Sequence, residues 1–81
     1  MPLFFFDMHD DGLFVSDQEG QECRDLNAAE GIACETAAEL GRSTLLSGKI
    51  RKVVIEVKNE LKQRVLTATV ALEVVRVEPN P

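Results

Sequence analysis

The sequence predicts an α+β domain of order β-β-α-β-β, with a four-stranded antiparallel sheet and one long helix packed on one face. Three observations carry this. Residues 3–9, 12–17, 49–58 and 64–78 are rich in aromatic and β-branched side chains or alternate apolar with polar, as strands do. Residues 25–47 turn instead to Ala, Glu and Leu, with Leu26, Ala29, Ala33, Ala37, Leu40 and Thr44 spaced by three or four, the period of a helix with one apolar side. Glycine and acidic clusters separate the runs. At 81 residues the chain is one domain, residues 1–81, near the size at which a single core supplies only ~3–5 kcal/mol.

The first strand, LFFFDMH, sends Phe4 and Phe6 to the core and Phe5 to the opposite side. Asp10-Asp11-Gly12 then closes a hairpin with Gly12 at positive φ. The second strand ends at Asp17-Gln18-Glu19-Gly20, a turn built from a side-chain acceptor and a permissive glycine. The helix starts with Asp25 as N-cap, or with Asn27 and Glu30 as a capping box. Gly31 and Gly41 inside it each call for close backbone packing or a helix frayed after Gly41, and Gly48 ends it. Val53, Ile55 and Val57 face one side of the third strand; Asn59 to Gln63 turn the chain. In the last strand Leu66, Ala68, Val70, Leu72 and Val74 face one way and Val65, Thr67, Thr69, Ala71, Val75 and Val77 the other, until Pro79 stops it.

Two magnitudes point to a homodimer. The fifteen residues from Arg64 to Glu78 span roughly 50 Å when extended, against a diameter of about 30 Å for a globule of this length. That strand must bend at a bulge or project to pair with another chain. Four strands make a sheet about 19 Å wide, and a helix about 10 Å across leaves apolar residues of the second face wet, from Leu3 and Phe5 through Val54 and Val65 to Val75 and Val77.

Charge is divided along the chain. Residues 1–25 carry seven acids against Arg24, a net of −6; residues 48–81 carry seven Lys and Arg against four Glu, a net of +3; the whole is −5. An acidic total opposes general nucleic-acid binding. The Phe4-Phe5-Phe6 run lacks the interleaved basic residues of a base-stacking sheet, and the lysines of the later strands suit edges guarded against aggregation. The short apolar runs, with no basic residue ahead of Leu3, give neither signal peptide nor membrane span, so the expected place is the cytoplasm. There Cys23 and Cys34, eleven apart with no CxxC spacing, are free thiols.

The stretches MPLFFFDMHD, Asp17-Gln18-Glu19-Gly20-Gln21-Glu22, Asp25-Leu26-Asn27-Ala28-Ala29 and IEVKNE (Ile55 to Glu60) resemble a family of short bacterial proteins, mostly alphaproteobacterial, described only as a domain of unknown function. The resemblance spans about two thirds of the chain. It departs at Asn59 to Gln63, where many members have an Asp-Glu-x-Gly turn, and in the valine-rich tail. It implies one compact cytosolic domain and brings no activity, cofactor or site residue.

The stretch DMHDDG places Asp7, His9 and Asp11 on alternate positions, as in the front of a calcium loop. The twelfth position from Asp7 is however Gln18, where a bidentate Glu is needed, and His9 offers nitrogen where calcium takes oxygen. The stretch therefore reads as strand and turn. An alternative has Asp7, His9, Asp17, Glu19 and Glu22 converging across the hairpin on a divalent cation or small ligand. His9 with Ser16 or Cys23 would be the only nucleophile grouping, without a nucleophile elbow or phosphate loop. Cys34 reads as a small packing residue and Cys23, beside Arg24 in a loop, as the more reactive thiol. The expectation is a non-enzymatic interaction module with no cofactor, acting as a homodimer. Its partner surface is either the acidic loop (Asp10, Asp11, Asp17, Glu19, Glu22) or the open sheet (Val65, Val75, Val77).

Overall fold

A computed structural model describes residues 1–79; Asn80 and Pro81 of the expected domain lie outside the described residues. The elements are β1 (Leu3–His9), β2 (Phe14–Val15), β3 (Gln21–Glu22), α1 (Leu26–Thr44) with a 3₁₀ turn at Leu45–Ser47, β4 (Lys52–Lys58) and β5 (Arg64–Ala71). All pairings are antiparallel in the order β2-β1-β4-β5, with β3 also on β1. Among the described residues the α+β class and single long helix are as the sequence predicts, and the sheet has five strands rather than four.

The extra strand has a local cause. Residues 12–17, expected as one strand, pair with β1 only at Phe14–Val15 (Met8↔Val15, His9↔Phe14). Ahead of them Asp10 ties the turn through its N–H to Leu13 O and its carboxylate to Leu13 N–H. Beyond them the Asp17 side chain takes over the bonding, and the chain rejoins β1 as β3, with Leu3↔Glu22 and Phe4↔Gln21. A short side-chain acceptor has displaced the ladder.

Asp25 is the N-cap of α1, its Oδ1 accepting from Ala28 N–H at 2.8 Å. The last residues of the expected 25–47 helix tighten into the 3₁₀ turn, closed by Gly48 at φ 79°. The buried seam of α1 is Ala29, Ala33, Ala37 and Gly41, one residue every four, lying over Ile55 and Val57 with Phe4 beside them. Small side chains let the helix approach closely: a Cβ on Gly41 would stand 2.9 Å from Val70 Cγ1. Gly41 is thus the close-packing glycine, while Gly31 faces open space. Cys34 lies one position beyond the seam and is exposed, not a packing residue; Cys23 is buried instead of loop-exposed.

β4 starts at Lys52, not residue 49, because Arg51 N–H is taken by the Asp11 carboxylate. Arg51 therefore keeps only its carbonyl for the ladder, accepting from Leu72 N–H, and β5 ends at Ala71, opposite Lys52, not at residue 78. A bulge at the other end of this ladder, where Val57 pairs with Leu66 and Lys58 with Arg64, turns Val65 toward the helix core, away from the face the alternation assigned it. The bulge expected of an overlong strand therefore occurs, and the chain beyond Ala71 extends away from the sheet. Residues 72–79 leave the sheet without secondary structure and are exposed, and the molecule measures 62 × 23 × 19 Å with a radius of gyration of 15.5 Å, where a compact chain would have about 12 Å.

Candidate interaction surface

The outer edge of β1 is built by two carboxylates, Asp17, which binds N–H groups of β1 and of its own turn, and Asp7, which binds the Asp17 N–H. Asp17 Oδ2 accepts from Phe6 N–H at 3.0 Å, in the gap between the β2 and β3 pairings. Its Oδ1 accepts from Glu19 N–H and Gly20 N–H, forming the turn. Asp17 N–H in turn donates to Asp7 Oδ1 at 2.9 Å. The turn lies over Phe5: a Cβ at Gly20 (φ 75°) would be 3.0 Å from both Phe4 O and the Phe5 ring, so only glycine fits. Lys62 Nζ covers the same ring at 3.1 Å from its centroid, a cation–π contact. Phe5, expected to stay wet, is buried.

Asp7 is 2% exposed and pairs with Lys58 Nζ at 2.9 Å. In register Asp7 stands opposite Glu56, a like-charge pair that Lys58 bridges, with Glu56 Oε1 at 3.6 Å. Glu56 also meets Arg64 and His9 Nε2, each at 3.5 Å. The second sheet face around Val54 is consequently a polar band of Asp7, His9, Glu56, Lys58, Thr67 and Thr69, not the apolar surface the alternation suggested.

Burial raises the Asp7 pKa, but the Lys58 hydrogen bond and the Asp17 N–H outweigh it and hold the carboxyl below its ordinary value. Burial likewise opposes ionisation of Asp17, outweighed by the N–H groups of Phe6, Gly20 and Glu19. Bonding to Asp7 raises Lys58; burial, then the nearby Asp25, pushes the Cys23 thiol up, the reverse of a reactive thiol. Because both aspartates titrate lower folded than unfolded, the folded state binds fewer protons, and their stabilisation is complete above the unfolded pKa and lost as pH falls through the folded values. The free energy of unfolding should therefore hold from about pH 8 to 5 and fall steeply below about pH 4. In urea titrations Asp7→Asn should flatten that fall; an equal slope in both proteins would show that Asp7 is not the linked group.

These commitments decide the fate of the acidic residues. Asp10, Asp11 and Asp17 bind backbone N–H groups, whereas Glu19 and Glu22 are exposed. Among the described residues no three His, Cys, Asp or Glu side chains are arranged to hold a metal ion, and Asp7 and Asp17 would have to break internal bonds to join one.

The surface that sequence reasoning located only in part lies at the other edge of the sheet. Among the described residues no strand lies beside the outer side of β5, and the arm that follows exposes Val74 (76%), Val75 (72%) and Val77 (89%). Between α1 and this edge runs an apolar groove of about 300 Å³, lined by Ala38, Gly41, Leu45, Leu46, Val70 and Leu72. On the inner side of the arm a wider recess of about 650 Å³ reaches Ile50 and Lys52. Leu46 and Leu72, exposed apolar residues just past the helix and the last paired strand residue, were the available signal.

The fold and its two edges define a small α+β domain whose sheet is sealed along β1 by an acidic loop and open along β5. The chain belongs to the family described as "Domain of unknown function (DUF6894)", whose family model matches residues 3–71. That match ends with β5, so the arm lies outside it. No curated protein and no solved structure matches the chain. Among the described residues no helix is long and apolar enough to cross a membrane.

Proposed function

We propose that this protein is a small non-enzymatic interaction module that works in the cytoplasm as a homodimer, joined along β5 and presenting its acidic loop to a protein partner. The observation that carries the reading is the unpaired β5 edge continued by an exposed valine-rich arm. Such an edge is a template for another strand, and natural chains blunt it unless it is used. Glu19 and Glu22, which are exposed, together with Asp10 and Asp11 supply a negative surface away from that edge, suited to a basic partner. The Asp7–Lys58–Glu56 band consists of charges already paired with one another, a structural rather than catalytic use.

The test is mass in solution by size exclusion with light scattering over a hundredfold concentration range. The expected result is a dimer, and Leu72→Asp should weaken it by roughly a hundredfold, the burial of one leucine per copy being worth ~1.5 kcal/mol or more, with circular dichroism unchanged. A protein that stays monomeric throughout overturns the reading.

A further inference from the structure

We infer that β5 and the arm together form one long strand that pairs antiparallel with the same strand of a second copy, about a twofold axis at Ala71, so that each copy's Leu72 enters the other's groove under α1. The inference rests on the homodimer reading and specifies its geometry.

Three features of the edge lead to it. The first is phase. Leu72 N–H donates to Arg51 O on the β4 side. Backbone groups alternate along a strand, so the N–H and C=O of Thr67, Thr69 and Ala71 point outward to the free edge, ready for a partner. The second is the side-chain pattern. Leu66, Ala68 and Val70 lie against the helix core, and Leu72 lines the groove beside Val70, so the apolar face of β5 continues into the arm without a break.

The third is register. With Ala71 opposite its own copy, Val70 lies opposite Leu72, Ala68 opposite Val74, Thr69 opposite Glu73 and Thr67 opposite Val75. Every apolar helix-side residue of the arm meets an apolar one, and Arg76 falls opposite Leu66, where its stem can cover apolar surface while its charge stays in water. Shifting the axis to Val70 sets Arg76 against Arg64, a like-charge pair. Shifting it to Leu72 sets Glu78 against Leu66. The Ala71 register forms about ten backbone hydrogen bonds between copies. It also places Leu72 of the second copy beside Val70, within the ~5 Å of a directly opposed pair, at the mouth of the 300 Å³ groove. Both open features, the edge and the groove, are filled by one operation.

Disulfide trapping tests this in the full chain carrying Cys34→Ser, which removes the exposed native thiol. Residues 71 of the two copies would have Cα atoms about 5.5 Å apart, within disulfide reach, whereas residues 69 would be about 14 Å apart. Ala71→Cys should therefore give a covalent dimer on mild oxidation and Thr69→Cys should not; both positions are exposed and leave the fold intact. If the Cys34→Ser parent is a dimer by light scattering but Ala71→Cys stays uncrosslinked, or Thr69→Cys crosslinks as well, this geometry is overturned while the homodimer stands. A monomeric parent overturns both.

Discussion

Asp17→Ala is expected to remove about 2–3 kcal/mol of stability, much of the ~3–5 kcal/mol available to a domain of this size. One carboxylate serves three N–H groups, of Phe6, Glu19 and Gly20. Water can replace it at the last two, which sit in a surface turn. It cannot easily do so at Phe6, on the sheet edge under the loop, where an unpaired donor carries its full desolvation penalty. Losing the turn also uncovers Phe5, over which Gly20 lies. Urea unfolding followed by circular dichroism reads the midpoint, and hydrogen exchange at the Phe6 amide should speed up more than at Ile55 in the centre of β4. Glu19→Ala, two residues away and equally acidic, should change stability by no more than about 0.5 kcal/mol. If the two variants behave alike, the loop is held by its overall charge and not by the Asp17 carboxylate.

Ala37→Leu should cost about 3 kcal/mol and leave little folded protein. Ala29, Ala33 and Ala37 are each 0% exposed, and the helix they belong to rides so low on the sheet that Gly41 already excludes a methyl group facing Val70. A branched side chain at 37 has no space to enter, so the helix must lift and open the contact along its whole length. Interiors packed to crystal-like density absorb such insertions poorly. A thermal midpoint within a few degrees of the parent would mean that the helix is free to tilt away from β4 and β5.

Much of this architecture is legible locally. The helix is visible in the four-residue spacing of its alanines, its start in the choice of Asp25 or Asn27 as cap, of which Asp25 is used, and the close of the 3₁₀ turn that follows it in Gly48. The core side of β1 and β4 follows from alternation, with Phe4, Ile55 and Val57 buried. The candidate site is less legible, for a specific reason: an aspartate looks the same in sequence whether it binds a partner, a cation or its own backbone. In the sequence Asp17 reads as an interaction residue, whereas its carboxylate is bonded to the N–H groups of Phe6, Glu19 and Gly20. Alternation assigns Val65 to the open face, and the bulge at Val57/Lys58 turns it inward. Cys23 and Cys34 exchange their expected environments because exposure depends on helix phase and loop path.

By itself the sequence determined the α+β class, the placement of the helix, and the fact that a strand running from Arg64 toward Glu78 is too long for its own domain, because periodicity, capping chemistry and extended length are local quantities. Only the tertiary structure decided where that strand stops pairing, that a groove opens beside it, and which carboxylates are already spent on backbone groups. Those outcomes depend on partners distant in sequence: Lys52 running out opposite Ala71, Gly41 against Val70, and Asp7 reaching Asp17 and Lys58 across two strands.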